Sequence, residues 1–198
     1  MPTKEEKMLV AVRILRNGGV VGAATETFFG ILADLRRKGI GKRIAEIKQI
    51  PIRQPIPVII PSTSFLSYLV SDVPNIALLL MQRYWPGPLT IVMTARRQVP
   101  REIVAEDGTV AVRVPGPSDA RDLCEMFGGP LTASSLNIHR HPPAVSSRYA
   151  REALNHHVDM IIPGSCPGGL PSTIIDVTVK PPRIVRRGVV KVEGRFLK

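Results

Sequence analysis

A chain of 198 residues is long enough for one domain with a sizeable core and too short for more than two small ones. Its hydrophobic share of 44% and charged share of 22% are globular values, and no apolar run approaches the ~20 residues that cross a bilayer. A net charge of +11 favours anionic partners, while 5% aromatics leave few platforms for stacking single-stranded bases.

Residues 4–17 place Met8, Leu9, Val12 and Leu15 at helical spacing, and Gly18-Gly19 stops that helix. A short buried strand follows over 20–24. The next helix, over 40–50, carries Ile40, Ile44 and Ile47 on one face and ends before Pro51. Residues 56–60 read as a strand that Pro57 pushes towards a sheet edge. Helices are expected over 65–69 and 75–83, strands over 89–94 and 110–114, and a helix over 118–127. Strands over 131–135, 160–162, 173–177 and 184–186 complete the set, with a helix over 146–156 among them. Such interleaving predicts an α/β (α+β) protein: one domain over residues 1–198, built as a twisted mixed sheet flanked by helices. The charged start, residues 1–7, lacks a signal-peptide core, so the expected setting is cytoplasmic, with no membrane contact.

The chemistry-bearing segments lie late in the chain. The run Pro130-Leu-Thr-Ala-Ser-Ser-Leu-Asn137 ends an apolar strand in hydroxyls and a carboxamide, groups that donate to and accept from phosphate or carboxylate oxygens. The same segment also reads as an ordinary polar loop. Arg113 lies in an apolar strand, where a lone charge is costly, so it needs a ligand or a carboxylate partner. Lys48 near a helix end suits either a ligand or the helix dipole. Ser172 either meets a ligand or starts a strand, and Trp85 with its Pro-Gly-Pro turn orders a bend. Cys124 and Cys166 match no metal or redox spacing, and His139, His141, His156 and His157 form no standard site, so no protein metal is expected. No Gly-x-Ser-x-Gly turn supports a nucleophilic triad.

Taken in order, Gly18-Gly-Val-Val21, Ala24-Thr-Glu-Thr-Phe-Phe-Gly30, Lys48, Trp85-Pro-Gly-Pro-Leu-Thr90, Val110-Ala-Val-Arg-Val-Pro115, Ser135-Leu-Asn137, Ser172-Thr-Ile-Ile-Asp176 and Arg186-Arg-Gly188 make a pattern. This succession resembles the YrdC/YciO domain family of threonylcarbamoyl-AMP synthases and their paralogues, over roughly residues 5–190. The resemblance implies a YrdC-like fold and a nucleotidyltransferase. Its substrates would be ATP, L-threonine and bicarbonate, its products threonylcarbamoyl-AMP and pyrophosphate, and its pathway the modification of adenosine 37 in tRNA. Mg2+ would accompany the nucleotide. By the same resemblance Lys48 is the catalytic residue; Lys48, Arg53, Gln54, Ser135, Asn137 and Arg186 hold nucleotide; Thr25, Thr27, Arg113, Ala133 and Ser172 hold threonine. It also implies tRNA or double-stranded RNA as partner, together with tRNA-modification proteins. On its length the chain is expected to be without the added C-terminal domain of larger members.

Departures from the family pattern matter equally. Lys48-Gln-Ile-Pro51 puts Ile50 where synthases carry arginine, Ala24 and Phe29 replace a proline and a tyrosine, and Ile59 replaces a histidine. His139-Arg140 stands for the usual Ser-Gly. These exchanges leave two alternatives open: a YciO-like paralogue with weak synthesis or acyl-adenylate hydrolysis, and a non-catalytic module binding double-stranded RNA. Ile50 discriminates between them, because it weakens synthesis and leaves RNA binding untouched.

Overall fold

The computed structural model describes residues 2–52, 54–154 and 157–198. Helix α1 (Lys4–Arg16) starts at a capping box in which Thr3 Oγ1 accepts from the Glu6 N–H and Glu6 Oε2 accepts from the Thr3 N–H. After it come β1 (Val21–Ala24), β2 (Phe29–Leu32), α2 (Ile40–Lys48), β3 (Val58–Ile59), α3 (Leu66–Leu69) and α4 (Asn75–Tyr84). The second half adds β4 (Leu89–Thr94), β5 (Thr109–Arg113), α5 (Asp119–Phe127), β6 (Leu131–Thr132), β7 (Ser134–Ser135), α6 (Ser147–Leu154), β8 (Met160–Ile161), β9 (Thr173–Asp176) and β10 (Arg183–Arg186). Of the helix expected over 146–156, residues 155 and 156 lie outside the described residues.

The strands form two mixed sheets, one of four strands in the order β7-β2-β1-β8 and one of six in the order β10-β9-β4-β5-β3-β6. In the six-stranded sheet parallel pairs (β3 with β5, β4 with β9) alternate with antiparallel ones, whereas in the four-stranded sheet only β1 with β8 is parallel. Helices α1 and α5 cover one face, where Met8, Val12, Leu15, Leu123 and Phe127 pack on Val21, Leu32, Ile59 and Leu131. The larger core joins both sheets through Phe29, Ile31, Ile44, Leu80, Leu89, Ile91 and Val112. Burying apolar area of this kind is the main stabilising term of the fold.

Three details correct the sequence reading. Strand β2 was not expected: Phe29-Gly-Ile-Leu32 is buried at every residue, so it has no alternation to betray it. The strand around Pro57 is not at an edge, since β3 lies between β5 and β6. Pro57 precedes the paired residues, so its missing N–H costs no ladder bond, and its carbonyl accepts from the Ala133 N–H at 2.7 Å. The strand expected over 131–135 is broken at Ala133. Leu131 and Thr132 pair with β3 in the larger sheet, whereas Ser134 and Ser135 pair with β2 in the smaller. One continuous stretch of chain thus passes from sheet to sheet, and the cleft lies at that corner.

Candidate functional site

Helix α2 stops at Lys48 because Gln49 adopts a left-handed conformation (φ 54°). Its N–H donates to Glu46 O and the Ile50 N–H to Ala45 O, the paired bonds of a Schellman stop. The helix expected to reach Ile50 therefore ends earlier, and the turn carries Ile50 onto the cleft wall. Lys48 is buried. Its ammonium donates to Ser135 O, to Ser135 Oγ at 3.3 Å, to Asn137 O at 3.2 Å and to Asn137 Oδ1 at 2.6 Å. Asn137 is fixed in turn, accepting at Oδ1 from Ser135 Oγ (2.7 Å) and donating through Nδ2 to His141 O (2.7 Å). Every oxygen around the ammonium is neutral. Burial without a counter-charge pulls the Lys48 pKa down from 10.5 to about 8.

Arg113 ends β5 and is almost wholly buried, with Nη1 donating to Glu26 Oε1 at 3.2 Å. Glu26 sits in the 25–28 turn joining β1 to β2. Thr25 Oγ1 fixes that turn by accepting from the N–H groups of Thr27 (3.1 Å) and Phe28 (3.2 Å). Opposite, a bulge in β10 re-aims Arg186, whose Nε and Nη2 donate to Ser172 O at 3.1 and 2.9 Å. Nη2 also reaches Ser172 Oγ at 2.9 Å, and that hydroxyl lies 3.0 Å from Thr90 Oγ1. Burial lowers the Arg186 pKa, and the charge of Arg113 adds to the effect.

These elements enclose a cavity of about 420 Å³. Thr25, Thr27, Lys48, Gln54, Arg113, Ala133, Ser135, Asn137, Ser172 and Arg186 all line it. Of the residues expected at the site, Arg53 alone lies outside the described ones. Sequence reasoning missed Thr90, which closes the Trp-Pro-Gly-Pro-Leu-Thr run, and Glu26, a carboxylate flanked by the two threonines. Phe29, Ile50, Val58, Ile59 and Ile174 supply an apolar wall. Trp85 lies elsewhere, its Nε1 donating to Leu89 O at 2.6 Å and ordering the bend. Three cations, several hydroxyls and a carboxamide make a receptor for an anion. The nearby carboxylate, Glu26, already faces Arg113. Among the described residues no cluster of His, Cys, Asp or Glu is arranged to hold a metal, and no helix is long and apolar enough to cross a membrane.

A concave cleft with an apolar wall and a few convergent polar groups has the form of a small-molecule binding site. The Sua5/YciO/YrdC family model, described as telomere recombination, matches residues 13–188, and the chain belongs to that family. It is 36% identical over 191 residues to the threonylcarbamoyl-AMP synthase of Pyrococcus abyssi, covering 96% of this chain and 56% of the archaeal protein. The structure of P. abyssi Sua5 complexed with L-threonine superposes with a TM-score of 0.88 at 34% identity, over 95% of this chain and 55% of that one. Escherichia coli YciO gives a TM-score of 0.87 at 29% identity, over 100% of this chain and 95% of that one. The chain thus spans little more than half of the archaeal synthase and nearly all of YciO.

Proposed function

We propose that this cleft binds L-threonine beside an adenine nucleotide and forms threonylcarbamoyl-AMP from ATP, L-threonine and bicarbonate. The observation that carries the reading is the convergence of Lys48, Arg113, Ser135, Asn137, Ser172 and Arg186 on one cavity. The P. abyssi Sua5 structure with L-threonine supports threonine as the amino acid. In this reading the amine of threonine takes up bicarbonate to give a carbamate, with loss of water. A carbamate oxygen then attacks the α-phosphorus, and pyrophosphate leaves. The protein supplies position and positive charge. Lys48, held by Ser135 and Asn137, meets the phosphates. Arg113 and Ser172 hold the amino-acid end, and Arg186, donating to Ser172, stands on the nucleotide side. Mg2+ arrives on ATP as part of the substrate, because the cavity offers cations and hydroxyls and, among the described residues, no free carboxylate pair. The setting is the cytoplasm, where tRNA-modification proteins take the product on to tRNA.

Ile50 favours a second reading. It places an aliphatic group on the wall beside Lys48, so that a carbamoyl adenylate is held better than a triphosphate is turned over. This would be a YciO-like paralogue with weak synthesis. Pyrophosphate release from ATP, L-threonine and bicarbonate separates the two. We expect slow release by the wild type and acceleration of ~10²-fold in Ile50→Arg, since charge aimed at a developing phosphate charge is worth that much. Fast release by the wild type, slowed in Ile50→Arg, would overturn the second reading. No release by either form would overturn the first.

A further inference from the structure

Arg113 and Glu26 are the one ion pair among the described residues in which both side chains are largely buried, at 8% and 16% exposure. They come from different sheets, Arg113 from the end of β5 and Glu26 from the turn between β1 and β2. Their contact is lopsided. Glu26 Oε1 accepts from Arg113 Nη1 at 3.2 Å and from the Gly116 N–H at 3.1 Å, whereas Oε2 is buried without a donor. A carboxylate serving only to neutralise an arginine is best placed in a two-pronged fork, with both oxygens engaged. Here a single guanidinium nitrogen is engaged, and Arg113 still lines the cleft.

The arrangement is held on both sides. On one side the Gly116 N–H holds Oε1 at 3.1 Å, and a Cβ on that glycine would meet Glu26 Cγ and Cδ at 3.5 and 3.7 Å, ordinary contact distances. Thr25 Oγ1 pins the turn that carries Glu26. An orphaned buried oxygen is unfavourable and persists only where the surrounding structure imposes it.

We propose that Glu26 is a positioning and specificity-determining residue for the amino-acid end of the cleft. It holds Arg113 by one nitrogen, leaving the other donors for a ligand carboxylate. It also cancels enough positive charge to favour a zwitterionic amino acid over phosphate. The inference rests on the assignment of that end to L-threonine, and deepens it. Without Glu26 the buried charge of Arg113 attracts a multiply charged anion most strongly, because Coulomb attraction grows with ligand charge.

The test uses the full chain with L-threonine and inorganic phosphate as probes, titrated calorimetrically. Glu26→Gln keeps an oxygen for Nη1 and removes the charge. It is expected to raise phosphate affinity at least tenfold, and to change L-threonine affinity much less. Glu26→Ala removes the tether and is expected to weaken L-threonine at least tenfold. In ligand-free protein with 15N-labelled arginine, the Arg113 Nη signals should be resolved in the wild type and averaged in Glu26→Ala. Phosphate affinity unchanged in Glu26→Gln overturns the specificity role. Resolved Arg113 signals in Glu26→Ala overturn the positioning role. If the wild type binds no L-threonine, the assignment of the ligand falls, and the ligand-free spectra still decide the positioning role. Should Glu26→Ala fail to fold, the same guanidinium signals in Glu26→Gln decide it, remaining resolved if one oxygen suffices.

Discussion

Between pH 8 and 10.5 the folded protein should gain stability, because Lys48 sheds its proton in the fold well before it does so in the unfolded chain. The ammonium is buried among four neutral oxygens, and its pKa falls from 10.5 to about 8. That gap corresponds to about 3 kcal/mol of unfavourable burial when the lysine is charged. Below pH 8 both states hold the proton and the whole cost is present. Above it the unfolded chain binds more protons than the fold, so the free energy of unfolding rises by up to about 1.4 kcal/mol per pH unit. Integrated from pH 8 to 9, the gain is about 1 kcal/mol. The Cys124 thiol acts oppositely: burial raises its pKa, so the unfolded thiol ionises first above pH 9 and draws the equilibrium towards unfolding. Urea unfolding of wild type and Lys48→Met, measured in parallel from pH 7 to 10.5, removes that contribution from the difference. The wild type should gain about 1 kcal/mol on the variant between pH 8 and 9. A difference that stays flat across the range would refute a dry, uncompensated ammonium.

Asn137→Ala removes one oxygen from the ammonium cage and should weaken nucleotide binding by about 1–3 kcal/mol, measured by titration with AMP and ATP; unchanged affinity would remove the carboxamide from the site. Gly188→Ala would place a Cβ 2.1 Å from Pro171 O and 2.6 Å from Ser172 C, both backbone. The segment must withdraw, lowering stability by ~1–3 kcal/mol and loosening Arg186 from Ser172, which thermal unfolding and L-threonine titration would show. For duplex RNA, the logarithm of affinity should fall with the logarithm of salt at about −0.9 per neutralised phosphate, with little dependence on base sequence. Reversing Arg36, Arg37 and Lys38 to Glu should flatten that slope, and salt-insensitive binding would exclude a phosphate-contacting surface.

The elements with clean periodicity were legible in the sequence: α1 by its four-residue apolar spacing, α5 by Ser118 at its start, and β4 and β5 by β-branched runs. What the pattern could not show was how the strands divide. Two sheets and one long sheet give the same apolar runs, since both bury each strand on two faces. Ile50 illustrates the limit at helix ends. Its apolar side chain continues the spacing of Ile40, Ile44 and Ile47, yet the left-handed Gln49 turns it towards the cleft. The candidate site was legible where residues matched a family order, as at Lys48, Asn137 and Arg186. Glu26 was not, because its significance comes from Arg113, 87 positions away in sequence.

The corner at Ala133 makes the number of residues between Leu131 and Asn137 a fixed quantity. Two residues before it are registered against β3 and two after it against β2, so neither side has slack. Side chains on a strand alternate faces, and a single inserted residue would reverse whichever side absorbed it. If the second half moved, Ser135 would turn away from Lys48. If the first half moved, Leu131 would leave the packing under α1 and α5. Natural length variation should therefore be tolerated in the loop at 98–108 and be excluded from this heptapeptide, whatever side chains it carries.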